Sequence, residues 1–331
     1  MRNSLIYLDC SSMGSAVRRR KRWLAALVLL GLIYLVVSLI DLYRGPLRHR
    51  PLQVGHNAVW LAHRFFDDRD RNKVSGLELR ELAGRVKEHN LEYLFVHVGP
   101  LDSQGAIPSY RSEHFQRVKS QVPGTRWLAW VGGLNADFEG RAQDTVDLTL
   151  PETRTGIART VRELYAAGFD GIHYDIEPVR DGDRSFLALL DETPRDGILS
   201  VATPHMRPPG AWPVPPFERM WTAGYYGEVS RRCDQVVYMG YDSAQPSAEA
   251  YARWMRWQVL SLKACLESQE LLIGVPTYDE ESTLVHNPQA ETLAAALWGI
   301  SSAGPVDGVA LYAHWTTTPS EWDTLAGFRG K

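Results

Sequence analysis

From residue 57 to the C-terminus, short apolar runs alternate with stretches whose apolar positions recur every three or four residues. The runs predict strands at Ala58–His63, Glu92–Val98, Trp127–Gly132, Gly171–Glu177, Leu199–Pro204, Gln235–Tyr241, Leu271–Pro276 and Gly308–Trp315. Between them, Leu79, Leu82 and Val86 fall on one helical face, as do Ile157, Val161 and Leu164. Tyr251, Met255 and Leu262 form another such face, and Leu293, Leu297 and Ile300 a fourth. Eight strand-then-helix units over roughly 250 residues predict an α/β fold, the (β/α)8 TIM barrel. A doubly wound open sheet is the alternative, but the first strand is followed by RFFDDRDR rather than a glycine-rich phosphate turn, and no P-loop or GxGxxG occurs.

The N-terminal fifth reads differently. Arg18, Arg19, Arg20, Lys21 and Arg22 form a basic block, after which Trp23 to Ile40 run without a charge. As a helix this segment would be about 27 Å long, roughly one hydrocarbon core. It is apolar on every face, which disfavours a buried amphipathic helix. A cleaved signal peptide is the rival, but SLIDLYRG offers no small-x-small cleavage site. The expected organisation is a cytoplasmic basic tail (1–22), a transmembrane signal anchor (23–40), a linker (41–56) and the barrel (57–331). The basic flank predicts a single-pass membrane protein with its N-terminus cytoplasmic and the barrel extracytoplasmic, as in a bacterial inner membrane.

A formal net charge of -3 over 331 residues gives no basic stripe of the kind nucleic-acid binders use, so no nucleic-acid partner is expected. Cys10 lies in the tail, and Cys233 and Cys265 read as two buried thiols unless they pair outside the cell. No Cys/His spacing suggests a metal, and no cofactor is expected.

The chemistry concentrates at predicted strand ends, where a barrel builds its active site. The fourth strand reads DGIHYDIE, Asp170 to Glu177. Asp175 and Glu177 are two apart, so a strand points both carboxylates one way, among residues where burying two acids is costly. Asp242 follows the sixth strand, Tyr278 and Asp279 the seventh, His205 the fifth, and His314 and Trp315 end the eighth. Trp130, Trp212, Tyr225 and Tyr278 are candidates for lining a cleft.

These residues resemble glycoside hydrolase family 18, the chitinase-like family. Its fourth-strand DxxDxDxE is matched by Asp170, His173, Asp175 and Glu177; its MxYD by Met239, Tyr241 and Asp242; its SxGG by Trp130, Val131, Gly132 and Gly133. FVHVGPLDSQG on the second strand, Gly274–Pro276–Tyr278 on the seventh and Trp315 closing the eighth also fit. The likeness spans 57–331. It implies hydrolysis of β-linked N-acetylglucosamine-containing glycans by a substrate-assisted, retaining mechanism. Glu177 would be the general acid/base, and Asp175 would orient the 2-acetamido group. Tyr241 would stabilise the oxazolinium, Asp242 and Met239 would line that pocket, and Trp315 would floor the sugar. The pattern departs from the family twice: Trp130 stands in the Ser position and His173 in an Asp position. His173 is expected either to donate a hydrogen bond to Asp175 or to fill the barrel inertly. Two other readings stay open: a retaining glycosidase with Asp279 as covalent nucleophile, and a non-catalytic glycan-binding barrel.

Overall fold

The computed structural model of the chain describes residues 20–21, 23–34, 36–37, 45–52, 55–67, 73–136, 144–213, 217–280 and 285–328. Eight strands form a closed, all-parallel barrel: β1 (Asn57–Leu61), β2 (Leu91–His97), β3 (Arg126–Asn135), β4 (Gly171–Glu177), β5 (Ile198–Thr203), β6 (Gln235–Met239), β7 (Glu270–Pro276) and β8 (Gly308–Tyr312). Each strand pairs with the next, and β8 returns to β1 with Val59 opposite Leu311. A two-residue strand, Thr145–Val146, extends the sheet beyond the end of β3. The helices are α1 (Gly76–His89), α2 (Ser112–Ser120), α3 (Pro151–Ala167), α4 (Arg184–Glu192), α5 (Ala223–Ser230), α6 (Ala248–Lys263), α7 (Leu293–Ala303) and α8 (Pro319–Phe328), one after each strand. The closed ring decides for the (β/α)8 barrel against the open sheet, and all eight expected strands are present.

Strand alternation feeds two separate cores. Ala58, Trp60, Tyr93, Phe95, Leu128, Trp130, Val237, Leu272 and Ala310 pack inside the barrel. Their neighbours, among them Val59, Leu94, Ala129, Ile172, Tyr174, Val236 and Ile273, pack outward against the helices. The predicted helical faces are the ones buried: Leu79, Leu82 and Val86 on α1, and Ile157, Val161 and Leu164 on α3. Local signals set the helix ends. Ser75 and Glu78 form a reciprocal capping box at the start of α1. Gly168 closes α3 at φ 103°, a conformation glycine adopts without a Cβ clash.

A repeated staple holds the N-terminal rim. Asp170, Asp234 and Asp307 each stand one residue before a strand, and each carboxylate accepts the backbone N–H that opens or nearly opens the preceding strand. The partners are Trp127, Leu199 and Leu271, all at 2.8 Å. Lys119 also donates to Asp170 at 2.8 Å, a half-buried pair near the surface. Gly171 and Gly308 follow two of these aspartates because the chain passes too close for a side chain: a Cβ would lie 2.5 Å from the Ile198 carbonyl oxygen or 1.8 Å from that of His56. Asp170, the first acid of the fourth-strand motif, is therefore a structural residue at the end of the barrel away from the chemistry.

Ahead of the barrel, residues 20–21, 23–34 and 36–37 are helical, with Trp23, Leu24, Leu27, Leu30, Ile33 and Val37 all more than half or about half exposed. Among the described residues no helix is long and apolar enough to cross a membrane. The structure thus does not supply the expected transmembrane anchor, whose last residues, 38–40, lie outside those described, as do 1–19 of the basic tail and Cys10. The expected linker is packed over residues 45–52: Leu52 is buried with its N–H on the Phe328 carbonyl, His49 stacks on Trp298 at 5.1 Å, and Arg48 bonds Ser302. Cys233 and Cys265 are free thiols, the first buried and the second half-buried.

Asp170→Ala removes the acceptor that anchors the Trp127 N–H and is expected to destabilise the fold by about 1–2 kcal/mol. The denaturation midpoint should fall while any pH–rate profile keeps its shape.

Candidate active site

Strand β4 carries the site. Its outward side chains, Ile172, Tyr174 and Ile176, are locked in the outer core, so His173, Asp175 and Glu177 all face the lumen, rising toward the C-terminal rim. His173, at the lowest level, is fully buried. The Trp60 indole N–H can only donate, so its 3.2 Å contact makes His173 Nε2 an acceptor. Nδ1 then carries the proton and donates to Ser200 Oγ at 2.8 Å. Ser200 donates to Gln235 Oε1 at 2.7 Å, and the Gln235 amide donates to Glu270 at 2.7 Å. This one-way chain fixes His173 as a neutral tautomer, and burial lowers its pKa to about 3. Both ring nitrogens are committed away from Asp175, so the expected His173–Asp175 hydrogen bond is not formed. The imidazole stacks on Phe95 at 4.0 Å and acts as a polar plug in the barrel.

Asp175 stands one level higher, opposite Gly132 in the β3–β4 register. Gly132 adds no side chain at this level, and the Trp130 indole N–H donates to Asp175 Oδ2 at 2.7 Å. Asp175 Oδ1 is buried and has no hydrogen-bonding partner among the described residues. Glu177, at the rim, is open to the cleft. Burial raises the Asp175 pKa and the Trp130 hydrogen bond opposes the rise. The lift on Glu177 is larger, from burial first and then from Asp175 and Asp242, with Arg219 pulling the other way. Two carboxyls this close cannot both ionise freely, so the pair holds a proton above the ordinary carboxylate range, and Glu177 keeps it longest.

The facing wall comes from the ends of β6, β7 and β8. Asp175, Glu177, Met239, Tyr241, Asp242, Tyr278, Glu280, Tyr312 and Trp315 surround a cleft of about 330 Å³. Tyr241 stacks on Tyr312 with centroids 5.2 Å apart, and Trp315 meets Tyr312 edge-on at 6.0 Å. Trp315 remains 46% exposed, so an aromatic face is available to a ligand. Tyr278 donates to Asp242 Oδ1 at 2.6 Å. Behind Asp242, His286 Nδ1 lies 3.1 Å from Asp242 Oδ1 and 3.5 Å from Glu291 Oε2, and Glu291 accepts from the Ser243 N–H and hydroxyl. Asp242, His286 and Glu291 offer ligand atoms within 4.8 Å of one another, a spacing a divalent cation can bridge. Across Glu177 lies a second, more apolar hollow of about 210 Å³, lined in part by Leu134, Val179, Arg219 and Trp221.

Of the residues expected at the site, Asp175, Glu177, Met239, Tyr241, Asp242, Tyr278 and Trp315 converge on one cleft. Trp130 is buried beneath it, as a hydrogen-bond donor rather than a ligand platform. His173 lies deeper still. Asp279 is exposed but does not line the cleft; its neighbour Glu280 does. Tyr225 is buried against Trp221, whereas Trp212 is 72% exposed on the loop after β5. His205 bonds the Tyr238 hydroxyl at 2.8 Å and His314 packs edge-on against Phe65. Tyr312 was missed, although Ala310 and Tyr312 alternate on one strand face in ALYAHW. His286, Glu291 and Arg219 carry no local signal, because loops deliver them.

No protein-family model matches the chain, and no curated protein sequence matches it. Its fold is similar to that of the spore cortex-lytic enzyme SleL of Bacillus cereus, with a TM-score of 0.58 at 13% identity over 84% of this chain and 76% of that one. It is also similar to a chitinase from Chromobacterium violaceum, with a TM-score of 0.55 at 12% identity over 84% of this chain and 100% of that one. The GH18 chitinase ChiB of Flavobacterium johnsoniae gives 0.51 at 12% identity over 84% and 94%. At these identities the likeness is one of fold: the chain has the chitinase-like (β/α)8 barrel.

Buried in the fold, His173 holds its proton only near pH 3, against about 6.5 for an imidazole in water. The unfolded chain therefore binds the extra proton first as pH falls. The stability held by neutral His173 is complete above about 6.5 and is lost progressively toward pH 3, about 2 kcal/mol by pH 5. Folding stability against pH should fall less steeply below 6.5 in His173→Gln, which keeps one acceptor and one donor, than in the wild type. Equal slopes would mean that His173 is not buried neutral.

Proposed function

We propose that this protein is a glycoside hydrolase of β-linked N-acetylglucosamine-containing glycans that works by substrate assistance with retention. The observation that carries the reading is the convergence of Asp175, Glu177, Tyr241 and Asp242, from two strands far apart in sequence, on one aromatic-walled cleft. The names of the similar structures, chitinases and a cortex-lytic enzyme, support the same substrate class.

Each role follows from chemistry. Glu177 is the more strongly proton-retaining carboxyl and borders both hollows, so it can protonate an oxygen bridging sugars seated on either side. Asp175 is the better anion, and its Oδ1 lacks a protein partner among the described residues and so keeps accepting capacity for an acetamido N–H. That contact orients the acetamido carbonyl for attack on the anomeric carbon, and the carboxylate charge stabilises the oxazolinium that forms. Tyr241, its hydroxyl held protonated by burial, donates to the acetamido oxygen. Water then opens the oxazolinium with Glu177 as base, restoring the starting configuration. Asp242 and Met239 line the acetamido pocket, and Trp315 offers a face to the sugar ring. The covalent alternative weakens because Asp279 stays outside the cleft. A barrel that only binds glycans would not need Glu177 raised beside a second carboxylate.

We further propose, from the sequence, that the uncharged run Trp23–Ile40 behind the basic block anchors the chain in a membrane. Trp23, Leu24, Leu27 and Leu30 of that run are each more than half exposed.

On N-acetylglucosamine oligomers, Glu177→Gln should lose about 10²- to 10⁴-fold in kcat while thiazoline-type oxazoline mimics still bind. Undiminished turnover in that variant would end the assignment. For the pH dependence, kcat/KM needs Asp175 ionised and Glu177 protonated. Both groups are raised, so both limbs of the bell should lie above the ordinary carboxylate range. Asp242→Asn removes a charge that raises Glu177, and the alkaline limb should move down.

In cell fractionation the full chain should resist salt extraction from membranes. A chain beginning at residue 45, which keeps the packed Leu52 and His49, should be released in folded form; if the full chain is released equally, the anchor is wrong.

A further inference from the structure

Asp175 is a short side chain on a fixed strand, but its carboxylate can still turn about its side-chain bonds. What it bonds to sets its direction, and the neighbours decide that nearly completely. From below, His173 offers nothing, since Nε2 accepts from Trp60 and Nδ1 donates to Ser200. From β3, Gly132 lies opposite and has no side chain. The hydrogen bond found on Asp175 is the one from Trp130 Nε1 to Oδ2, at 2.7 Å. Trp130 itself is 9% exposed and wedged edge-on between His97 at 4.6 Å and Tyr312 at 6.2 Å, so its N–H has little freedom to turn away.

We propose that Trp130 is the positioning residue of this site: its indole N–H clamps Oδ2 of Asp175 in one orientation, leaving Oδ1, which is buried and has no partner among the described residues, as the oxygen with unused accepting capacity beside the acetamido pocket. The proposal rests on the glycosidase reading for its use but not for its geometry. It explains how a barrel with an uncharged imidazole beneath Asp175 can still hold that carboxylate still. A donor-only partner favours the anion and cannot share or return a proton, so Asp175 has one role throughout the cycle. The other titratable groups facing Asp175 are Glu177 on its own strand, Tyr241 and Asp242 after β6, and Tyr312 on β8, with His97 of β2 on the far side of Trp130. The tyrosines stay protonated over the working range, and burial lowers the His97 pKa to about 4. Near neutral pH the tyrosines and His97 therefore do not change charge, and the Asp175–Glu177 pair sets the charge beside the Trp130 indole.

The test uses the full chain and does not need turnover. With ¹⁵N-labelled tryptophan, one indole N–H should sit downfield of the others and shift with pH as Asp175 titrates. That pH dependence should vanish in Asp175→Asn, which also assigns the signal. An indole resonance insensitive to both overturns the clamp, whether or not the protein hydrolyses glycans. In Trp130→Phe, which keeps the packing but lacks the N–H, the carboxyl titration of Asp175 should rise by about 1 to 2 pH units. Given turnover in the wild type, the acid limb of kcat/KM should rise with it while the alkaline limb stays. A folded Trp130→Phe protein with an unmoved Asp175 titration would mean that Trp130 only packs. Loss of turnover in the wild type with the indole signal behaving as expected would reject the glycosidase reading and leave the clamp standing.

Discussion

Closure of the parallel barrel is the constraint on which the rest depends. Once eight strands join in a ring, every second side chain must enter a narrow lumen, and its level is fixed by register rather than by choice. On β4 that rule lifts His173, Asp175 and Glu177 through three levels. The outer face of the strand gives no room for slippage, because Ile172, Tyr174 and Ile176 are buried against the helices. A one-residue shift would send both carboxylates into the outer core. The aspartate staples at the N-terminal rim hold the same register from below, so stability is secured at one end of the barrel and chemistry is left to the other.

The lumen changes in character from level to level. At the bottom Glu270, Gln235 and Ser200 satisfy one another, and His173 completes the chain as a neutral group with every donor and acceptor used. Above it the polar atoms are deliberately under-satisfied by protein: Asp175 keeps an oxygen free, and Glu177 faces open space. That transition from a sealed network to an open one marks where packing ends and binding begins. The two acids are set apart by their partners, since the one with a built-in donor ionises first and the other, beside two carboxylates, retains its proton.

Aromatic residues complete the arrangement from the opposite wall. Tyr241, Tyr312 and Trp315 come from the ends of β6 and β8, touch one another, and leave one indole face exposed. Asp242 is held by Tyr278 and backed by His286 and Glu291, so the side chain at the mouth of the cleft is fixed by residues of the loop after β7. Its left-handed backbone, φ 58°, is a conformation that Asp tolerates better than bulkier side chains do.

Much of this was legible in the chain. Period-two alternation and helical spacing gave the strands and the helix faces, because burial on one side of each element is a local property. The pairs Asp175/Glu177 and Tyr241/Asp242 could be read at strand ends for the same reason. Three things needed the folded barrel. Residues 45–52 look like a linker, yet they pack on the outer helices. Trp130 looks like a sugar platform, yet it lies under the site with its N–H on Asp175. His173 looks like a modulator of Asp175, yet Trp60 and Ser200 claim both its nitrogens. The sequence by itself determined which faces are apolar and which acids share a face. Only the tertiary structure decided which hydrogen-bonding atom meets which, because those partners come from strands dozens of residues apart and are matched by barrel register.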